Sequence, residues 1–210
     1  MRQFAYVAFA GGLVLAAVVP AGAQQSTRPA EPGAFTAAER ARLDRGDLVV
    51  RRTTSVVRGH KMVGGSAWIR VRRPPQVVYR AATDYARWTR FVPRATEARL
   101  VANGRNVLVR HAYGPVDARY ELRVRAQQQT HDVSFTLDPS RPHTIEAAWG
   151  YLRVRPYESG SLLSYGVMID VGDGLVRTLF EGEVHRWALR VPAELRRWVE
   201  SREASRRYGR

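Results

Sequence analysis

The stretch PPQVVYRAATDYARWTRFVP, residues 74–93, decides the fold. It opens with two prolines, which a helix tolerates in its first turn. Four apolar residues then recur at helical spacing: Val77, Val78, Ala81 and Ala82. A short helix to about Thr83 is therefore predicted, followed by a second short helix that carries Trp88 and Phe91 and ends before Pro93.

The residues before this stretch are predicted to form strands. LVVRRTTSVV from Leu48 and SAWIRVR from Ser66 are rich in β-branched residues, which favour strands. Two groups of residues are the turn or bulge signals around them: Arg58-Gly59-His60 and Gly64-Gly65.

The residues after it alternate between apolar and polar in segment after segment, with turn signals between them, of which Asn103-Gly104 is the clearest. An antiparallel sheet with one buried face is predicted. Its inward positions are Tyr120, Leu122, Val124, Val133, Phe135, Leu137, Leu163, Tyr165, Val167 and Ile169. Residues 146–155 are ambiguous, but solvated arginines at 153 and 155 would place Gly150, Leu152 and Val154 inward and Trp149 and Tyr151 outward.

The chain closes with a predicted helix from about Gly174 to Arg202, about 40 Å long at the helical rise. From Phe180 onward its apolar residues fall within about 120° of a helical wheel. They are Phe180, Val184, Trp187, Ala188, Val191, Leu195, Trp198 and Val199, and Leu189 is the one large exception. Pro192 is predicted to kink this helix, because an interior proline removes a backbone hydrogen bond.

This order of motifs resembles the START-like superfamily, also called SRPBCC or polyketide cyclase/dehydrase proteins, which includes coenzyme Q-binding members. The motifs that carry the resemblance are Pro74-Pro75-Gln76-Val77-Val78, Asp84-Tyr85, Trp88, Phe91, Pro93, residues 150–156, Ser159-Gly160-Ser161-Leu162-Leu163-Ser164-Tyr165 and Val191-Pro192. Tyr79 and Ser161 stand where the family often has Trp and Thr. The resemblance spans roughly residues 48–200.

The resemblance implies an α+β, helix-grip fold, in which a curved antiparallel sheet wraps around a long C-terminal helix and two short helices follow the first strands. It also implies a cavity between sheet and helix that holds a lipid, an isoprenoid or quinone, or a polyketide-like molecule. Inward aromatics with polar tips suit such a pocket, although each could simply fill a core. The predicted ligand-binding residues are His111, Tyr113, Tyr120, Phe135, Leu152, Tyr165, Val167, Phe180, Val184 and Trp187.

Catalytic and metal motifs are missing from the sequence. Cysteine is absent, and the five histidines lack HxxxH or HExxH spacing, so no metal site is predicted. There is no GxSxG motif and no glycine-rich phosphate loop, so no catalytic residue and no cofactor is predicted. His111, inward beside Val109, could serve as an acid or base, but a core role is favoured.

The predicted function is therefore binding or carriage of a hydrophobic small molecule. Two alternatives stay open. One is a cyclase- or aromatase-type enzyme that acts in the cavity, which needs convergent polar groups there. The other is an envelope accessory protein that binds an anionic membrane or a partner.

The N-terminus has the pattern of a cleaved signal peptide over residues 1–23. Arg2 precedes an uncharged apolar run, and Ala21-Gly22-Ala23 supplies small residues for the peptidase. Residues 24–35 are predicted to be a disordered leader, residues 36–202 the START-like domain and residues 203–210 a basic tail. A capping box of Thr36 with Glu39 predicts a short helix at the start of the domain. A periplasmic or secreted location is expected.

The formal net charge of +15 is the balance of 34 basic and 19 acidic residues, and the basic residues include a single lysine. The arginines are spread along the chain, and an exported protein seldom meets nucleic acid. Anionic lipid headgroups attract such arginines within about a Debye length. We therefore expect contact with an anionic membrane surface, no nucleic acid and a monomer.

Overall fold

The computed structural model describes residues 35–101, 104–113, 116–172 and 185–209, with the side chains of Tyr113 and Val116 excepted. The strands are β1 (Val49–Val57), β2 (His60–Val71), β3 (Ala95–Leu100), β4 (Asn106–Tyr113), β5 (Val116–Gln127), β6 (Asp132–Leu137), β7 (Ala147–Tyr157) and β8 (Gly160–Asp170). The helices are α1 (Ala37–Asp44), α2 (Pro75–Thr83), α3 (Val191–Val199) and α4 (Arg202–Tyr208), and Tyr85–Arg90 form a 3-10 helix.

The eight strands form one curved antiparallel sheet in the order β1-β2-β8-β7-β6-β5-β4-β3. Strands β3 to β8 follow one another as a meander, and β8 then pairs with β2 of the first hairpin. Together with the helices this is the predicted α+β, helix-grip fold. Among the described residues, no helix has both the length and the apolarity needed to cross a membrane.

The stretch 74–93 forms the two predicted short helices. Pro75 begins α2, which ends at Thr83, and the 3-10 helix follows with Phe91 as its C-terminal cap. The indole nitrogen of Trp88 donates to the carbonyl of Ala82 at 2.9 Å. This bond ties the two short helices together and leaves the indole ring on the inner side.

The first hairpin confirms one turn signal and corrects the other. Residues Val57 and His60 pair across the turn at Arg58-Gly59, but β2 runs through Gly64-Gly65 with unbroken register. A Cβ on Gly64 would lie 1.9 Å from the carbonyl oxygen of Val167 in β8. The glycines therefore permit a close approach of neighbouring strands and do not mark a turn.

The predicted inward parity of the strands is confirmed. Tyr120, Leu122, Val133, Leu137, Leu163, Tyr165, Val167 and Ile169 are buried in the main core, while Val124 and Phe135 pack against it partly buried. Tyr151 lies on the opposite face, as predicted, yet it is only 3% exposed. Its ring covers Gly166, where a Cβ would fall 2.4 Å from Cε1 of the tyrosine.

A second, small core lies on the outer face of the first hairpin. The predicted capping box starts α1, with Thr36 and Glu39 bonded reciprocally. Leu43 of α1 packs with Trp68, and the ring of Phe35 meets Trp68 edge-on at 5.5 Å. Phe35, which we assigned to the leader, is thus part of the folded domain; residues 24–34 and the predicted signal peptide lie outside the described residues.

The C-terminal segment differs from the single kinked helix we predicted. The chain is helical over 185–188, turns at 189–190 and begins α3 at Val191, so Pro192 occupies a first turn. A proline there has no N–H to lose from the helix ladder, whereas in a continuous helix its ring would clash with the carbonyl of Ala188. Leu189, the exception to the predicted stripe, lies in the turn and is buried. Residues 173–184, with Phe180, Val184 and the predicted helix start, lie outside the described residues.

Residues 203–209 of the segment 203–210, which we treated as a basic tail, continue the folded structure. Ser201 caps α4, whose Ala204 and Tyr208 are buried in the main core. The boundary at Arg202 therefore falls on the first residue of a packed helix.

Candidate ligand cavity

A cavity of about 70 Å³ lies between the concave face of the sheet, the two short helices and the C-terminal segment. One water molecule needs on the order of 10–15 Å³ on the same measure, so several would fit. The lining residues are apolar or aromatic, with few polar atoms: Ala82, Trp88, Phe91, Val92, Val109, His111, Tyr120, Leu122, Val133, Phe135, Ala148, Leu152, Tyr165, Val167, Ile169, Trp187, Ala188 and Val191.

Seven of the ten predicted ligand-binding residues meet at this cavity: His111, Tyr120, Phe135, Leu152, Tyr165, Val167 and Trp187. The side chain of Tyr113 and the whole of Phe180 and Val184 lie outside the described residues. Strand parity brings the first six together, because alternate residues of β4, β5, β6, β7 and β8 all face the concave side.

Sequence reasoning missed the end of the cavity formed by the short helices. Ala82, Trp88, Phe91 and Val92 line it, although we named only three of them, and as fold markers. Their signal was present in the helical spacing of α2 and in the aromatic pair before Pro93. Without the packing angle of the helices, that spacing cannot say whether the residues face a cavity or solid core.

Phe135 and Gly150 shape the wall of the cavity on strands β6 and β7. The two residues are paired, and a Cβ on Gly150 would lie 2.4 Å from Cζ of the Phe135 ring. The missing side chain at Gly150 gives the ring its place over the sheet. Phe135 also stands 6.3 Å from the ring of Tyr165, so the aromatic wall extends from β6 to β8.

Two tyrosine hydroxyls supply polar atoms to this apolar space. Tyr120 and Tyr165 are 8% and 7% exposed, and neither hydroxyl hydrogen-bonds to another described residue. Burial raises the pKa of both phenols well above the usual range. Both therefore keep their protons at neutral pH and can donate as well as accept.

His111 is the third polar group of the wall. Its ring stacks on Tyr120 at 5.7 Å and contacts Trp187 at 5.4 Å. Burial lowers the pKa of His111 to about 4, and a hydrogen bond to the backbone carbonyl of Pro93 offsets part of this lowering. The imidazole is thus neutral at pH 7, and its Nδ1 has no partner among the described residues.

Trp187 brings another unpartnered group to the same end of the cavity. Its Nε1 is buried and donates to no acceptor in the described part of the chain. Leaving a buried donor or acceptor unsatisfied costs about 1–3 kcal/mol. The structure therefore keeps polar groups beside the cavity that packing alone would disfavour.

The described part of the cavity lining carries no formal charge. None of the described lining residues is Asp, Glu, Arg or Lys, in a protein with 34 basic residues. The described residues also contain no group of three or more His, Asp or Glu side chains placed to hold a metal ion. The arrangement can enclose a neutral apolar molecule and hydrogen-bond to it, and it offers no carboxylate as a partner for His111.

Comparisons with solved structures agree with this fold. The Zhui aromatase/cyclase from Streptomyces sp. R1128 matches with a TM-score of 0.57 and 13% identity, over 70% of this chain and 95% of that one. A STAR-related lipid transfer protein from Xanthomonas axonopodis matches with a TM-score of 0.53 and 13% identity, over 72% of this chain and 99% of its own. A START superfamily protein from Mycobacterium smegmatis matches with a TM-score of 0.53 and 12% identity, over 68% of this chain and 98% of that one.

No curated protein matches the chain by sequence. The model of one protein family does, over residues 71–203, and that family is described as polyketide cyclase/dehydrase and lipid transport. The matched region runs from the end of β2 through the whole cavity wall to α4. The chain therefore belongs to the polyketide cyclase/dehydrase and lipid transport family.

Proposed function

We propose that the protein binds and carries a hydrophobic small molecule, of lipid, isoprenoid or quinone, or polyketide-like type, in the cavity between sheet and C-terminal segment. The observation that carries the proposal is a space large enough for several waters whose described lining is apolar and uncharged. A dry apolar cavity gains from an apolar occupant, because the lining then recovers the contacts that the void forfeits. Family membership supports the same reading.

The test is binding by the purified protein. Native mass spectrometry and organic extraction should find a co-purifying apolar molecule, and N-phenyl-1-naphthylamine should bind with increased fluorescence. Ala148→Leu narrows the cavity and should weaken binding of N-phenyl-1-naphthylamine. Ala112→Leu, on the exposed side of β4, should leave that binding unchanged. A protein with no co-purifying molecule and no probe binding would contradict the proposal.

A cyclase- or aromatase-type enzyme is the second candidate. One observation favours it: the unpartnered Nδ1 of His111, a proton acceptor beside the cavity. Incubation with a linear poly-β-ketone thioester should then give a cyclised aromatic product, and His111→Gln should abolish it. Turnover that survives in this variant would remove His111 from any catalytic role, and absent turnover leaves the carrier function.

We propose that the protein acts outside the cytoplasm after cleavage behind Ala23. N-terminal sequencing of protein from the periplasm or medium should start at Gln24, and an intact Met1 on protein recovered there would contradict this.

Contact with an anionic membrane belongs to the same proposal, but three of the C-terminal arginines bond within the protein itself. Arg196 bonds to the carbonyl of Gly46, Arg197 pairs with Glu194, and Arg207 pairs with Asp84. Two exposed α4 residues, Arg202 and Arg206, are thus the headgroup contacts to test. Co-sedimentation with phosphatidylglycerol vesicles should fall in the double glutamine variant, and equal binding to phosphatidylcholine would exclude an electrostatic contact.

A further inference from the structure

Among the described residues that line the cavity, the polar side chains are all neutral hydrogen-bonding groups. We infer that the ligand is an uncharged apolar molecule that bears a hydroxyl or carbonyl oxygen, held by Tyr120 and Tyr165, and that carboxylates and phosphates are excluded. This inference rests on the proposed carrier function and narrows its ligand class.

The two hydroxyls come from opposite parts of the sheet. Tyr120 lies on β5 and Tyr165 on β8, with β6 and β7 between them in the strand order. Both side chains line the cavity, and no described residue accepts from or donates to either hydroxyl. Both hydroxyls therefore face the same cavity, where each can hydrogen-bond to an oxygen of the ligand.

His111 and Trp187 extend the polar end of the cavity. Their rings are 5.4 Å apart, and each holds a buried nitrogen with no partner in the described part of the chain. The indole nitrogen can donate to a ligand, and the unpartnered Nδ1 of the neutral imidazole can accept from one. A hydroxyl or carbonyl oxygen beside Tyr120, on which His111 stacks, would lie at this end.

The exclusion of anionic ligands follows from the absence of charged side chains among the lining residues that the structure describes. Burying an ionised carboxylate without a paired cation is far costlier than burying a neutral hydroxyl that finds a partner. No arginine or lysine is among the described lining residues, and burial keeps His111 neutral above about pH 4. A fatty-acid headgroup would find no countercharge among these described residues.

Three ligands with the same ring system test the inference: 2-naphthol, 2-naphthoate and 2-methylnaphthalene. At pH 7 the first is neutral and oxygenated, the second anionic and the third purely apolar. We expect 2-naphthol to displace N-phenyl-1-naphthylamine at least about tenfold more tightly than 2-naphthoate. Loss of a ligand hydrogen bond typically costs about twofold to tenfold in affinity, so Tyr120→Phe and Tyr165→Phe should each weaken 2-naphthol by that factor and leave 2-methylnaphthalene within about twofold.

Tyr157→Phe is the matched control, because it removes a hydroxyl that bonds to Asp44 away from the cavity. It should leave all three affinities unchanged. Binding of 2-naphthoate as tight as that of 2-naphthol would overturn the inference and leave the carrier function standing, as would phenylalanine variants that bind 2-naphthol normally. If N-phenyl-1-naphthylamine binds and none of the three compounds displaces it, the inference fails and the carrier function stands. If the probe does not bind and no molecule co-purifies, both fail.

Discussion

The hydroxyl of Tyr208 donates a 2.8 Å hydrogen bond to Oδ2 of Asp84, which joins the last helix of the chain to the end of α2. Arg207 donates to the same oxygen from 2.7 Å. Asp84 stands between the two short helices that close one end of the cavity. The chain's last helix therefore supports the cavity from outside, although it lines none of it among the residues described.

Tyr208→Ala should destabilise the protein by about 2–4 kcal/mol, since it removes a buried ring and its hydrogen bond. Urea denaturation measures the free energy of unfolding. The control is Arg206→Ala on the exposed side of the same helix, expected within about 0.5 kcal/mol of the parent. Equal losses in the two variants would mean that α4 is not packed in solution.

Gly150→Ala should destabilise the fold and reduce the cavity. The new Cβ meets the ring of Phe135 at 2.4 Å and the carbonyl oxygen of Gly166 at 2.3 Å, so the ring must move toward the cavity. We expect a loss of about 1–3 kcal/mol and weaker binding of N-phenyl-1-naphthylamine.

A second substitution separates the two contacts of Gly150→Ala. Adding Phe135→Leu to Gly150→Ala should recover the stability lost to the clash with the ring. It should recover none of the stability lost to the clash with the Gly166 backbone. The double-mutant cycle should therefore show coupling between positions 135 and 150. Strict additivity of the two free-energy changes would refute the contact between ring and glycine.

His111 makes stability fall in acid. With a folded pKa of about 4 against an ordinary 6.5, the unfolded chain binds the proton first as the pH drops. The unfolded state is therefore favoured progressively between about pH 6.5 and 4, by up to about 3 kcal/mol. His111→Gln should remove this part of the pH dependence of the free energy of unfolding. Parallel stability curves for parent and variant across this window would contradict a buried neutral imidazole.

Trp187→Ala and Leu195→Ala should distinguish a residue of the cavity wall from a residue of the core. Leu195 is fully buried in α3, so its truncation should cost about 2–5 kcal/mol and leave ligand preference unchanged. Trp187 is half-buried and borders the cavity, so its loss should cost less and enlarge the space. The affinity ratio of N-phenyl-1-naphthylamine to 2-naphthol should then rise, because the larger probe gains room. A ratio that shifts equally in both variants would count against Trp187 as a cavity wall.

Pro192→Ala should change the free energy of unfolding by less than about 1 kcal/mol, because proline is well tolerated in the first turn of α3. An interior proline would behave otherwise, since its replacement by alanine would gain about 3 kcal/mol. Chemical denaturation decides between the two. A large gain would show that the segments on either side of the turn at 189–190 join into one helix.

The sequence by itself determined which strand residues face inward and where the two short helices lie. Tyr120, Phe135 and Tyr165 were predicted on the concave side because alternation is a local property that one strand must satisfy on its own. The motifs of residues 74–93 likewise report local helix chemistry, and with the later motifs they indicated the family.

Only the tertiary structure decided how the chain ends and what the cavity offers. Tyr208 is packed because Asp84, 124 residues earlier, lies within hydrogen-bonding reach, and no pattern inside 203–210 shows that contact. The unpartnered Nδ1 of His111 and the uncharged lining are also properties of convergence, since they depend on which groups from separate strands fail to meet a partner. Local periodicity fixes the face on which a side chain lies, whereas its partners are set by the packing of elements distant in sequence.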